Sequence, residues 1–155
     1  MLIYFAGPMF CQAELEFNKN LVTSLERNGF SVFLPQRDGI NPKGERFSNF
    51  SEKEICQEIF NFDRNELLKA DILLMILDGR IPDEGACVEL GIAHENKFVN
   101  NKEKLLIGYS TDMRVFADIF QINAMLNGAL DYIVNNEDDL IEKIKEFQKE
   151  QTFIS

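Results

Sequence analysis

The sequence predicts a doubly wound α/β domain, a five-stranded parallel sheet with helices on both faces. Three observations carry that expectation. Short apolar runs alternate with segments of helical spacing along nearly the whole chain. One run, DILLMIL (Asp71 to Leu77), is apolar enough to be covered on both faces, as a central parallel strand is. Finally, 155 residues suffice for one core but not two, so residues 1–155 read as one domain without linker or repeat.

The elements follow in order. LIYFAG (Leu2 to Gly7) reads as a buried strand ending in a Gly-Pro turn. Glu14 to Asn28 carries Leu15, Leu21, Val22 and Leu25 at helical spacing and is closed by Gly29. FSVFLP (Phe30 to Pro35) is the second strand, and QRDGINPKGERFSNF after it is a long polar loop. Ser51 and Glu54 form a capping box that opens a helix to about Lys69. Beyond the third strand, Asp83 begins another helix, Lys104 to Tyr109 is the fourth strand, and Asp131 to Val134 is a short fifth. Glu137 to Gln148 closes the chain as an amphipathic helix. In such a fold ligands bind where the strands end, which directs attention to AGPMF, LPQRDG, LDGRIPDEG and the polar stretch after Tyr109.

Composition narrows the partners. No apolar run approaches the length of a membrane span, and no basic region precedes the first apolar stretch, so a soluble cytoplasmic protein is expected. Three separated cysteines and a single histidine argue against a zinc site or disulfide framework, and no metal or cofactor is expected. The formal net charge of -10 disfavours a nucleic-acid polymer and suits a small molecule of little charge. Part of that acidity lies in the closing helix, where a solvated face explains it.

The segment PDEGACVELGIAH (Pro82 to His94) raises the chemical question. Gly85, Ala86, Ile92 and Ala93 fall three or four residues from Glu89 and share its side of the helix, so its carboxylate has small and apolar neighbours. Either Glu89 turns sideways to solvent, as most glutamates do, or it lines a half-dry cleft as nucleophile or base. Asp83 is explained by N-capping alone, and could also hold a ligand hydroxyl with a spare oxygen. Glu84 faces away at the positive end of the helix. Cys87 and His94 read as structural.

The motifs Ile3-Tyr4-Phe5-Ala6-Gly7-Pro8, Asp63-Arg64-Asn65 ahead of Ala70-Asp71, Asp83-x-Gly85-x-x-x-Glu89-Leu90-Gly91-x-Ala93 and Asn123-Ala124-Met125 stand in this order. Together they resemble the nucleoside 2-deoxyribosyltransferase family, over nearly the whole chain. The resemblance implies a flavodoxin-like fold and a nucleophilic role for Glu89 against C1′ of a 2′-deoxyribonucleoside. It implies that Tyr4 orients Glu89, against the plain reading of a core aromatic. It also implies that Asp63 protonates the departing base, against that of an exposed helix carboxylate. Asp83 would bind the sugar 5′-hydroxyl, and Asn123 would reach the same hydroxyl from a neighbouring subunit, implying a homodimer or higher homo-oligomer. Gly7, Phe10, Gln36 and Met125 complete the expected substrate contacts, with Arg37 and Asp38 beside Gln36. The partners expected are therefore a deoxynucleoside and a free nucleobase.

An aspartate at position 83 would repel a 5′-phosphate, which favours nucleosides over nucleotides. The chain lacks the tryptophan some relatives carry near Met9, and its Gln36 is differently spaced, leaving purine against pyrimidine preference open. Three rivals remain: hydrolysis with water replacing the second base, a non-catalytic nucleotide sensor, and a receiver domain with Asp78 as phosphoacceptor. The last lacks the acidic pair after strand one and the lysine ending a later strand.

Overall fold

The computed structural model describes residues 1–112, 114 and 122–154. The elements run β1 (Leu2–Ala6), α1 (Gln12–Arg27), β2 (Ser31–Phe33), α2 (Pro35–Asp38), a 3-10 turn (Glu45–Phe47), α3 (Glu52–Lys69) and β3 (Ile72–Ile76). They continue with α4 (Glu84–Val99), β4 (Leu105–Tyr109), α5 (Ala124–Ala129), β5 (Tyr132–Val134) and α6 (Glu137–Ile154). All strand pairs are parallel, in the order β2-β1-β3-β4-β5. The chain leaves β1 for one edge and returns to its other side at β3, so the direction of winding reverses between them.

Strand alternation sorts the side chains into two cores. Ile3 and Phe5 of β1 face α1 and α6, packing with Leu21, Val22, Leu25, Leu140 and Ile144. Tyr4 and Ala6 face the opposite way, with Leu67 of α3 and Ala86, Leu90 and Ala93 of α4. Every residue of β3 and of β4 is buried, as expected of central strands covered on both sides.

Local chemistry sets the boundaries. Helix α1 begins two residues earlier than the apolar spacing suggests, because Glu14 reaches back to accept from the backbone N–H groups of Phe10 (2.7 Å) and Cys11 (2.9 Å). It ends at Arg27 with Asn28 as its C-cap, followed by Gly29, whose φ of +89° suits a glycine at that position. The Ser51–Glu54 capping box forms as expected: Ser51 N donates to Glu54 Oε2 at 2.7 Å and Glu54 N to Ser51 Oγ at 3.4 Å.

The second strand is shorter than the sequence suggests, and the start of the long loop is one turn of helix. Pro35 has its φ preset for a first helical position, and Asp38 Oδ2 accepts from Leu34 N at 2.9 Å. The last carbonyls of α3 are met by lysines, with Lys102 Nζ donating to Leu68 O at 2.8 Å and the buried Lys104 Nζ to Leu67 O at 2.8 Å. Lys104 Nζ also donates to Ala70 O, and burial pulls its pKa down to about 8. No helix among the described residues is long and apolar enough to cross a membrane.

Candidate active site

Tyr4 has no accessible surface, and its ring stacks on Phe33 with centroids 5.3 Å apart and planes 16° from parallel. Because β1 turns this residue toward the α3–α4 side, its hydroxyl meets the second turn of α4 and donates to Glu89 Oε1 at 2.6 Å. Glu89 therefore does not turn out into water. Gly85, Val88 and Ile92 flank it, and across from them Cys56, Ile59, Phe60, Asp63, Arg64 and Leu67 of α3 form the other wall of a cleft of about 370 Å³. The hollow beside Glu89 differs in detail from the sequence expectation. Ala86 and Ala93 turn to the sheet and are buried in the core, while Gly85 and Ile92 do line the cleft.

The electrostatics follow from that apolar setting. Burial lifts the Glu89 pKa to about 7; the Tyr4 hydrogen bond pulls it down, and the charges of Asp63 and Asp83 push it further up. Burial, with Glu89 next, drives the Tyr4 phenol far above its ordinary range, so it stays a donor. Asp63 is raised to about 6 by desolvation and then by Glu66, and its Oδ1 is buried without a hydrogen-bond partner. Two acids of raised pKa thus share one cleft, with Arg64 at its exposed rim. An ionised Glu89 oxygen can attack an electrophilic carbon, and a protonated Asp63 can give up a proton.

None of the remaining expected residues lines the Glu89 cleft; Asp83, Gly7, Phe10 and Gln36 follow the carboxyl ends of β3, β1 and β2. Asp83 caps α4, its Oδ1 accepting from Ala86 N at 2.8 Å, while Oδ2 has no protein partner among the described residues. Gly7 lies against β3 so closely that a Cβ would stand 2.9 Å from that of Ile76. Phe10 is 78% exposed at the lip after β1. Gln36 is turned to α1, accepting from Asn18 Nδ2 at 3.0 Å and donating to Leu15 O at 2.9 Å. Arg37 and Asp38 are engaged with each other, Glu26 and backbone groups of Val32 and Leu34.

Asn123 and Met125 do not join the Glu89 cleft within one chain. Asn123 caps α5, its Oδ1 accepting from Met125 N at 2.8 Å. Met125 is 82% exposed and borders a groove on the other side of α4 with Cys87, Leu90 and His94. Asp78 is no vacant phosphoacceptor. Its carboxylate accepts from Ser110 Oγ (3.0 Å), Thr111 N (2.7 Å) and Asp112 N (3.1 Å), tying the ends of β3 and β4 together.

Sequence reasoning overlooked the apolar α3 wall and Asn18. Cys56, Ile59 and Phe60 drew no reading beyond their place in a helix, and Leu67 is the buried residue of α3. Asn18 interrupts the α1 stripe ahead of Leu21, Val22 and Leu25, a signal visible in the sequence.

Fold and cleft together define a class: open parallel α/β proteins that hold a tyrosine-bound carboxylate beside the point where the strand order reverses. Residues 3–146 match the family described as Nucleoside 2-deoxyribosyltransferase. The chain belongs to that family. Among solved structures, a conserved protein from Enterococcus faecalis V583 is 27% identical with a TM-score of 0.73, covering 94% of this chain and 98% of that one. The 2-deoxyribosyltransferase from the psychrotolerant bacterium Bacillus psychrosaccharolyticus is 24% identical with a TM-score of 0.72, covering 91% and 90%. The second likeness is one of fold. No curated protein sequence matches the chain.

Proposed function

We propose that this protein transfers 2-deoxyribose from a 2′-deoxyribonucleoside to another nucleobase through a deoxyribosyl ester on Glu89. One observation carries the reading: Glu89 is bound by Tyr4 and faces Asp63 across an apolar cleft, in a chain of this family. With Oε1 held by Tyr4, Oε2 attacks C1′. The C1′–N bond breaks as the C1′–O bond forms, and the departing base nitrogen takes the proton of Asp63. A second base then attacks C1′, expels the Glu89 carboxylate and returns a proton to Asp63. Two inversions give net retention.

Asp83 receives the 5′-hydroxyl on Oδ2, the oxygen its helix cap leaves over. Gly7 lets the sugar approach the backbone, and Phe10 offers a face for the base to stack on. Gln36, with part of its amide already engaged, keeps one N–H and one lone pair for a base edge. Asn123 and Met125 come from a neighbouring copy in a homo-oligomer. That assignment is supported by the exposed Val88, Phe98, Val99 and Met125 on α4 and α5.

The test is chromatography of the purified protein with thymidine and adenine. Deoxyadenosine and thymine are expected, and Glu89→Ala is expected to form neither, a loss of at least about 10⁴-fold. Free deoxyribose without deoxyadenosine would assign hydrolysis instead. No turnover of any common deoxynucleoside would leave a binding module.

A further inference from the structure

Asn18 lies mid-helix on the buried face of α1, 2% exposed, where a leucine would continue the stripe of Leu21, Val22 and Leu25. Asparagine is a poor choice there by propensity, and its Oδ1 is buried with no partner. Its Nδ2, however, donates to Pro8 O at 2.9 Å and to Gln36 Oε1 at 3.0 Å, and Gln36 Nε2 donates onward to Leu15 O at 2.9 Å. Carbonyls stand at both ends of this chain of bonds. Since a carbonyl only accepts, both amides have one permitted orientation.

The chain of bonds joins two loops at the carboxyl end of the sheet. On one side is α2, itself locked: Arg37 Nη2 donates to Val32 O at 2.7 Å and Asp38 holds Leu34 N. On the other is the lip Gly7–Phe10, pinned on Ile76 at Gly7 and on Glu14 at Phe10 N, with Pro8 O held by Asn18 between them. Met9 and Phe10, 38% and 78% exposed, ride on that lip.

We propose that Asn18 and Gln36 are a pair of positioning residues that fasten the β1 lip to the rigid β2 turn and thereby set where Met9 and Phe10 meet the nucleobase. This rests on the transferase reading and deepens it: Gln36 influences base recognition chiefly through the lip. The pair touches neither C1′ nor Glu89, so its loss affects how the acceptor base binds, not the rate once it is bound.

The experiment compares Asn18→Leu, Gln36→Met and the double variant with wild type, using thymidine as donor and adenine as acceptor, then deoxyadenosine with thymine. The expected result is a rise in KM for the acceptor of about tenfold in Asn18→Leu, with kcat within about twofold, and a rise at least as large in Gln36→Met, which also loses the amide atoms offered to the base. The rise should differ between adenine and thymine, and the double variant should be no worse than Gln36→Met alone, because both break one linkage. Methyl NMR of Met9 should show a more mobile signal in all three variants, a readout that needs no turnover.

Unchanged KM for both bases, or equal effects on kcat and KM for both, overturns the proposal. So does an unaltered Met9 signal. If the wild type transfers no sugar, the transferase reading falls by itself, and the Met9 signal still decides whether the linkage holds the lip. Should Asn18→Leu fail to fold, Asn18→Ala carries both measurements, and Gln36→Met is read by the Met9 signal.

Discussion

The two ends of the sheet use the same residue types to opposite effect. At the amino end, Asp71 Oδ2 accepts from Leu2 N at 2.8 Å and Asp131 Oδ2 from Leu106 N at 2.8 Å, while Asp131 Oδ1 pairs with Lys97 at 2.6 Å. Lys104 there satisfies the last carbonyls of α3. At the carboxyl end Asp78 ties β3 to β4 in the same way, but in the cleft Asp63 has a buried oxygen with no partner, and burial keeps Glu89 protonated to near neutrality. Paired acids fix where strands begin, whereas under-paired acids keep a reserve of unfavourable energy that chemistry can release.

Removing Asp63 should have the largest effect on this contrast. Asp63→Asn is expected to slow transfer about 10²- to 10³-fold, most for bases that depart poorly without a proton. Wild-type kcat/KM should follow a narrow bell, because the proposed reaction needs Glu89 ionised and Asp63 protonated while their pKa values lie at about 7 and about 6. Asp63 titrates below Glu89, so the arrangement that reaction needs is about a tenth of the singly protonated protein. The variant should lose the fall on the alkaline side and keep the rise through Glu89. A wild-type rate flat from pH 5 to pH 9 would contradict this.

Tyr4→Phe comes next, at about 10- to 100-fold in kcat, from loss of a hydrogen bond to a charged group. That bond holds the Glu89 pKa down, and because Asp63 titrates below Glu89 the alkaline limb of the wild-type profile follows Glu89, so that limb should move to higher pH in the variant. An unmoved limb would mean that Tyr4 is only a core aromatic.

The smallest effect is on stability, and here the two ends should differ in sign. The Glu89 pKa is higher folded than unfolded, so its contribution is most favourable below about pH 4.5 and worsens as pH rises through 7. Glu89→Gln should therefore raise Tm by about 5 °C at pH 8, with the gain fading by pH 4.5. Asp71→Ala, which strands Leu2 N, should lower it by about 3 °C. Thermal melts of both variants at the two pH values measure the pair, and a destabilised Glu89→Gln at pH 8 would end the idea of a reserve at the site.

How much of this was legible in the sequence depended on how far each signal travels along the chain. The strands and the central place of β3 were readable because β1, β3 and β4 are apolar runs, a pattern that survives without knowledge of neighbours. Helix ends were off where a side chain reaches back, as Glu14 does, and α2 was taken for loop because one turn has no periodicity to show. Glu89 stood out by its small neighbours, but its pairing with Tyr4 spans 85 residues and came from likeness to a family. The α3 wall was hidden for a different reason. Ile59, Phe60 and Leu67 have the spacing of a core face, and only packing reveals that the upper part of that face borders open space.

Gly7 bears on how this protein could be reshaped. A methyl group at that residue would collide with Ile76, so the wall between the first strand and the third is already as thin as a polypeptide permits. Libraries seeking new base preference should find position 7 intolerant and positions 9 and 10, which project into open solvent, permissive. Diversity in substrates would then arise one short step downstream of a residue that cannot itself vary.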